Sequence, residues 1–545
     1  MGKIIISFLL ASFVLGYCLI DTTYTLYYFQ LKAAILSITT AILIYFFSKN
    51  KSVFSIGKHA LLRINPFIDR YGIYFLLGGF FLLLNFLTFS KHLNFHSSGF
   101  DLGIFDQVVY KYSNGVFPAS SSIREISNIE GDHFHPILGL YALFYKIYAS
   151  PLTLIFIQNL AFILGGLGIY KIAKYKLNIP IIGFGVVFLY LIFKGNINAL
   201  FFDFHPIVVA VSLFPWLFYY SIKKKWLIYF LLLIPILLSK ENLSLYIVFF
   251  GIYQFFIQKE KTVGLITFVI GITYFYLSMN IFLPAMGGGG KYWSYDLIGE
   301  NPKDFIMNTF LHPIQFIQVL FDSIKKVSTY LHHLGSGGYL LFTPIIIFLI
   351  PSYAQKFLSS REEFWTLNFH YSIDVYWVIA LGIIFSFAYI RKRFPQKHID
   401  IYIFLGVFIF CNSFIINLHN SKLLQLSYKL ENLNTLKQVM NTLPKNISIS
   451  TQNNIVPHFS HNNDVFIFPN LGDAEYILLN TKISSGWPLN PGESLDMYMT
   501  KLNNKEPFKD IKLPFIKEPL YFNTNYDLII EENNVFLYKK TITND

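Results

Sequence analysis

The sequence predicts a mainly α-helical, polytopic membrane protein of about 11–13 spans that ends in a small α/β domain on the extracytoplasmic side. Three observations predict it. Of 545 residues, 54% are hydrophobic and only 14% charged, against roughly 25% charged in soluble domains. The apolar residues fall in runs that approach the roughly 20 needed to cross a bilayer as helix, separated by short basic stretches. After about residue 425 the runs stop, and short alternating segments take over.

The first run, Ile4 to Ile20, follows Met1-Gly2-Lys3 with no small-x-small cleavage site before Asp21-Thr22-Thr23, and reads as a retained span. Ile6 stands where a myristoylation signal needs Ser or Thr. Cys18 and Cys411 lie inside apolar runs, which leaves no disulfide framework and no metal-thiolate spacing. The formal charge of +12 comes from lysines and arginines between the runs, so it reads as a topology signal and excludes a nucleic-acid partner.

With positive charge as the inside marker, Lys49, Lys51, Lys58, Arg63 and Arg70 place the loop after the second span, and hence the N-terminus, in the cytoplasm of a cell-membrane protein. A span at about Tyr74 to Phe89 leads into a large outer segment, 90–150. Basic turns at Lys171 to Lys176, Lys223 to Lys225 and Lys259 to Lys261 then alternate with outer turns at Gly195 to Phe204 and Ser239 to Asn242. A second outer loop, 284–335, opens on Gly287 to Gly290. Phe305 to Tyr371 fits either two spans with Lys325 and Lys326 inside, or an interfacial helix followed by a segment broken at Pro344 and Pro351. Val375 to Ile390 and Ile401 to Ile416 flank inner Arg391, Lys392 and Arg393, which puts 425–545 outside. There an amphipathic helix, Gln425 to Met440, precedes strands at Ile447 to Ser450, Val465 to Phe468 and Tyr476 to Leu479, with an Asn533-Asn534 hairpin turn.

The polar motifs gather on the outer side in this threading. In Ser98-Gly-Phe-Asp101-Leu-Gly-Ile-Phe-Asp106-Gln107 the two acids stand five apart, about 140° round a helix, so they need not share a task. Asp101 reads either as an N-cap or as a partly desolvated general base, and Asp106 more readily as a solvated helix face. Asp132-His133-Phe134-His135-Pro136 and Asp203-Phe204-His205-Pro206 place histidines before helix-starting prolines. Asp132, His133, His135 and His205 are able to hold a divalent metal ion or a phosphate, or are simply polar helix starts. Lys240-Glu241 and His370-Tyr371 stand at further outer helix ends, either as neutralised pairs or as phosphate-binding groups. No G-x-x-x-x-G-K-[ST] occurs, so a P-loop nucleotide site is not visible.

The words FDLGIFDQ (Phe100 to Gln107), GDHFHPIL (Gly131 to Leu138), FDFHP (Phe202 to Pro206), SKEN (Ser239 to Asn242), FHYS (Phe369 to Ser372) and VPHFSH (Val456 to His461) resemble, in that order, a large uncharacterised family of prokaryotic multi-pass proteins known by a domain-of-unknown-function label. That family resembles the membrane glycosyltransferases of the C superfamily (GT-C). The resemblance covers nearly everything after about Tyr71 and makes the spans of 1–70 an addition to a GT-C-like unit, 71–424. It implies a polyprenyl-phosphate sugar donor, a glycan, lipid or protein acceptor of the cell envelope, and an acidic base or metal ligand at Asp101, with Asp106 second. The paired acids of better-known members are absent from this loop, which puts a metal in question.

On this reading Asp101 deprotonates the acceptor, while Lys240, Glu241, Asp203, His205, His370 and Tyr371 surround the donor phosphate. His458 and His461 in the external domain help select the acceptor. A transporter or flippase of a lipid-linked precursor is the alternative, and a non-catalytic envelope assembly protein the third reading. The outer placement argues against a soluble nucleotide sugar, which is made and kept in the cytoplasm.

Overall fold

The computed structural model describes residues 33–42, 64–288, 293–395, 398–418, 421–424, 432–462, 464–468, 470–480 and 526–541. The expected span Ile4 to Ile20, the end of the next, and Lys49, Lys51, Lys58 and Arg63 lie outside the described residues. So do Gly289, Gly290 and the first turns of the expected Gln425 to Met440 helix.

The fold is mainly helical. Among the described residues, Ile64–Leu93, Pro151–Leu177 and Lys261–Ala285 are each long and apolar enough to cross a bilayer. Pro180–Ile192 with Lys194–Phe201, bent by 47°, and Glu362–Asp374 with Tyr376–Arg393, bent by 67°, reach that length as pairs. Shorter apolar helices, among them Pro206–Ile222, Trp226–Leu237 and Leu243–Gln258, complete the bundle. Lys194–Phe201 falls where the sequence points to an outer turn, because the chain kinks at Phe193 and resumes as helix.

Contacts among the basic turns place them at one end of the bundle. Lys174 pairs with Asp69 at 2.7 Å, Lys224 pairs with Glu260 at 2.5 Å, and Arg391 donates to the Leu177 carbonyl at 2.8 Å. The Lys223 ammonium lies over the Tyr175 ring. These are the turns that the alternation of charge assigns to one side of the membrane.

Helix contacts in the bundle use small residues where backbones meet. Leu243–Ile252 packs along Lys261–Leu277. A Cβ on Gly251 would stand 2.5 Å from the Phe268 nitrogen, and one on Gly271 2.7 Å from the Val248 nitrogen. Only glycine allows that approach, the usual device for tight packing where lipid leaves no hydrophobic drive between helices.

The region after Phe305 settles as short pieces. Pro302–Leu311, Pro313–Leu320, Ile324–Gly335 and Leu349–Phe357 have 10, 8, 12 and 9 residues, too short for a span of about 20. None of these helices alone reaches span length, which favours the reading of an interfacial helix followed by a broken segment. Lys326 is buried and donates to the Val319 and Phe357 carbonyls, which ties it to its own neighbourhood and not to an inner loop.

The C-terminal part forms a five-stranded sheet of order β2-β1-β3-β5-β4, with β1 Ser448–Thr451, β2 Asp464–Ile467, β3 Tyr476–Asn480, β4 Tyr526–Glu532 and β5 Val535–Lys540. β1 pairs in parallel with β2 and β3, and β5 is antiparallel to β3 and β4. Asn533 and Asn534 join β4 to β5 with φ of 45° and 64°, the left-handed pair that a two-residue hairpin requires and asparagine tolerates. The Leu433–Thr442 helix buries Leu436 and Val439 against this sheet. Leu436, Ile449, Leu478 and Leu537 share one core with Phe95, Leu102, Ile137 and Leu154, so the sheet and the 90–150 segment are packed as one body.

Candidate functional site

The helices whose far ends carry the basic turns begin or end, at the other end of the bundle, on the polar motifs. Pro206–Ile222 runs from His205 to Lys223, and Trp226–Leu237 runs from Lys225 to the Ser239-Lys240-Glu241-Asn242 turn. Two locks gather these motifs.

The first lock is built on Asp203, which adopts φ 78°, a left-handed conformation that aspartate tolerates better than most residues. Its carboxylate accepts from the Lys91 ammonium and, at 2.7 Å, from the Ser98 amide. Gln158 clamps the same turn, donating to the Asp203 carbonyl at 3.0 Å and accepting from the His205 amide at 2.8 Å. Asp203 thus holds the 90–150 segment against the start of Pro206–Ile222. It is engaged twice, and a further carboxylate charge would repel a phosphate.

This lock brings Asp101 to His205. Asp101 sits in a π-helical turn, Gly99–Gly103, whose cap is Ser98: the Ser98 hydroxyl accepts from the Phe100 amide at 3.2 Å. The N-cap reading of Asp101 is corrected accordingly, since that place is filled three residues earlier. Its carboxylate lies 3.2 Å from His205 Nε2, with the acid side chain 23% exposed. The His205 ring stacks on His370 at 3.7 Å, and His370 packs on Tyr371 at 4.0 Å. His205 Nδ1 and His370 Nδ1 are both buried without a hydrogen-bond partner.

The second lock joins the HFHP and SKEN turns. Glu241 accepts from the Phe134 amide at 3.1 Å and faces His133 Nδ1 at 2.9 Å. Burial alone would raise the Glu241 carboxyl, but His133, Lys240 and His135 hold it below its ordinary range. His135 Nδ1 donates to the Ser239 carbonyl at 2.5 Å, and burial pushes its imidazole down to about 3, so the ring is neutral. Lys240 and Glu241 do not pair with each other. Among the described residues the Lys240 ammonium has no hydrogen-bond or ion-pair partner, and burial lowers its pKa against the pull of Glu241 and Asp132. The Phe105 ring bridges the two locks, 5.7 Å from His135 and 5.9 Å from His205.

The geometry does not assemble the metal alternative. Among the described residues no group of three His, Cys, Asp or Glu side chains is placed to hold an ion. His133 turns to Glu241, His135 to Ser239, His205 to Asp101, and Asp132 to Arg124 at 3.4 Å. Each candidate ligand is aimed at a different partner.

Asp106 is fully buried, which overturns the solvated-face reading. Tyr145 and Ser460 hydroxyls donate to it, and His461 Nε2 comes within 2.9 Å without the alignment of a hydrogen bond. His461 also stacks on Tyr110 at 4.0 Å, and His458 on His92 at 4.4 Å. Nearby, the Gly99 amide donates to the Asn453 carbonyl at 2.7 Å, and a Cβ on Gly99 would stand 2.5 Å from Val456 Cγ1. The VPHFSH word is therefore the seam between the sheet domain and the FDLGIFD turn. His458 and His461 both stand at that seam, with the His461 side chain 29% exposed.

Sequence reasoning missed Glu130, Lys91, Gln158 and Phe105. Glu130 accepts from the Tyr112 hydroxyl at 3.0 Å and the His135 amide at 2.7 Å, and burial raises its carboxyl to about 7. Its place beside Gly131-Asp132-His133 was the available signal. Lys91 and Gln158 lie at or within helix ends, and nothing in their local pattern marks them.

No curated protein matches the chain. Among solved structures, ArnT from Cupriavidus metallidurans bound to undecaprenyl phosphate is similar at 10% identity and a TM-score of 0.44, covering 87% of this chain and 99% of that one, a likeness too distant to argue from. The family model described as a predicted membrane protein, DUF2079, matches residues 91–500, and the chain belongs to that family.

Proposed function

We propose that the protein is a membrane glycosyltransferase that moves a sugar from a polyprenyl-phosphate donor to a hydroxyl of a cell-envelope acceptor at the outer face. One observation carries the reading. The partly exposed Asp101 carboxylate meets His205 in a row that continues through His370, and among the described residues the Lys240 ammonium, whose charge acts on His370, lacks a partner. A phosphate would satisfy what this site leaves open: the Lys240 ammonium and the buried Nδ1 of His370, with His205 Nδ1 joining when that ring carries both protons.

In the reaction, the acceptor oxygen bonds to the anomeric carbon as the bond from that carbon to the phosphate oxygen breaks. Asp101 takes the acceptor proton. The electron pair leaves on the phosphate, whose growing charge Lys240 and the imidazoles stabilise, commonly the largest contribution to such transfers. His205 positions Asp101, and Asp203, Glu241 and Asp106 brace the turns that carry these groups.

A transporter of a lipid-linked precursor is the second reading, favoured by the buried Lys356–Asp374 pair, on which Tyr246 and Ser352 also converge. One assay separates the two. Purified protein in lipid vesicles is expected to consume a polyprenyl-phosphate sugar, release polyprenyl phosphate and ignore the matching nucleotide sugar. Turnover of the nucleotide form without carrier would overturn the donor assignment, and movement of intact lipid without consumption would favour transport.

A further inference from the structure

We infer that the Pro302–Leu311 and Pro313–Leu320 helices form an amphipathic shelf that docks on the bilayer surface beside the candidate site, taking phospholipid acyl chains as its partner. Neither helix is long enough to cross: at 10 and 8 residues they span about 15 and 12 Å, against a hydrocarbon core of about 30 Å.

Their faces divide cleanly. Phe305, Phe316, Val319 and Leu320 pack inward with Ile298 and Leu358. Ile306, Phe310, Ile314, Ile317, Phe321 and Ile324 point away and are 57–80% exposed. They recur every three or four residues on both sides of the breaks at His312 and Phe321, so each helix carries apolar side chains on its outer face, with Ile324 opening the helix that follows. No Asp, Glu, Lys or Arg stands between Phe305 and Phe321.

The occupant follows from chemistry and from what this outer face adjoins. So large an apolar face is not left in water. It belongs to a membrane protein whose spans expose side chains such as Phe75 and Leu82 at 73% and 71% to the same apolar phase. Charged groups stand only at its two ends, Lys303 beside Asp304, and Asp322 beside Lys325, which pairs with Glu362 at 2.6 Å, so that the ends lie at the headgroup level while the apolar side chains enter the acyl boundary.

The shelf is braced to the site. Tyr295 donates to the Gln355 carbonyl at 3.0 Å, and Gln355 Oε1 accepts from Asn242 at 2.8 Å, two residues from Lys240. A lipid phosphate reaching Lys240 from the leaflet therefore passes alongside the shelf, a consequence that rests on the transferase reading; the docking itself does not.

The test uses the full chain in a Cys18→Ala, Cys411→Ala background, with Phe310→Cys or Ile314→Cys carrying an environment-sensitive dye. The labelled protein is reconstituted into phosphatidylcholine–phosphatidylglycerol vesicles. Lipid bearing a nitroxide near the top of its acyl chain is expected to quench most of the emission, and aqueous iodide little. Iodide quenching like that of free dye would put the face in water and overturn the inference. Protection from both quenchers would overturn it too, by assigning the face to another protein surface. Neither readout involves sugar transfer, so failure here is distinct from failure of the proposed function.

Discussion

Asp101→Asn is expected to lower sugar transfer by about 100-fold or more, the range a positioned general base supplies, while the purified protein stays monodisperse and its thermal midpoint is unchanged. The amide is isosteric and still meets His205 Nε2, so the turn keeps its shape. Ser98, not Asp101, caps it. What is lost is the ability to accept a proton from the acceptor hydroxyl. The KM for the lipid donor should hold, because the phosphate partners Lys240 and His370 are untouched. Near-normal turnover by this variant would move the base elsewhere.

Asp106→Ala is expected to do the reverse, destabilising the protein by about 1–3 kcal/mol through an orphaned buried hydroxyl and lost contacts at a domain seam. The Tyr145 hydroxyl loses its acceptor, Ser460 falls back on the Pro457 carbonyl at 3.0 Å, and His461 loses the charge it stands beside. Thermal unfolding and limited proteolysis between residues 452 and 461 should both show the sheet domain loosening from the 90–150 segment. Asp106→Asn keeps one acceptor oxygen and should cost less. An unchanged midpoint and protease pattern in Asp106→Ala would refute the anchoring role.

Much of the architecture was legible because its signals are local. The membrane class followed from composition, and the strand positions from alternation with the Asn533-Asn534 turn. The basic turns that the charge rule groups are those the contacts bring to one end. The region after Phe305 was ambiguous for a physical reason: a charge-free apolar stretch looks alike whether it crosses the bilayer or lies along it, and it is the breaks at His312 and Phe321 that favour the second.

The site was legible as a set of words and not as a set of roles. Asp101, His205, His370 and Lys240 were named, and they come together. Which acid stays partly exposed beside the histidines was not readable, because the burial of Asp106 depends on Ser460 and His461, more than 350 residues away in sequence. Nor were the partners of the histidines readable, since His133, His135 and His205 each meet a group from a distant turn. Lys91 and Gln158, which hold the first lock, carry no local pattern at all.

The central claim is that a lipid phosphate sits among Lys240, His205 and His370. A polyprenyl phosphate carrying a diazirine next to its phosphate, irradiated with the reconstituted protein, tests this most directly. The expected result is cross-linking to peptides that contain Lys240 or His370-Tyr371, suppressed by excess unlabelled polyprenyl phosphate. Cross-links confined to lipid-facing side chains such as Phe75 and Leu82, insensitive to that competitor, would contradict it.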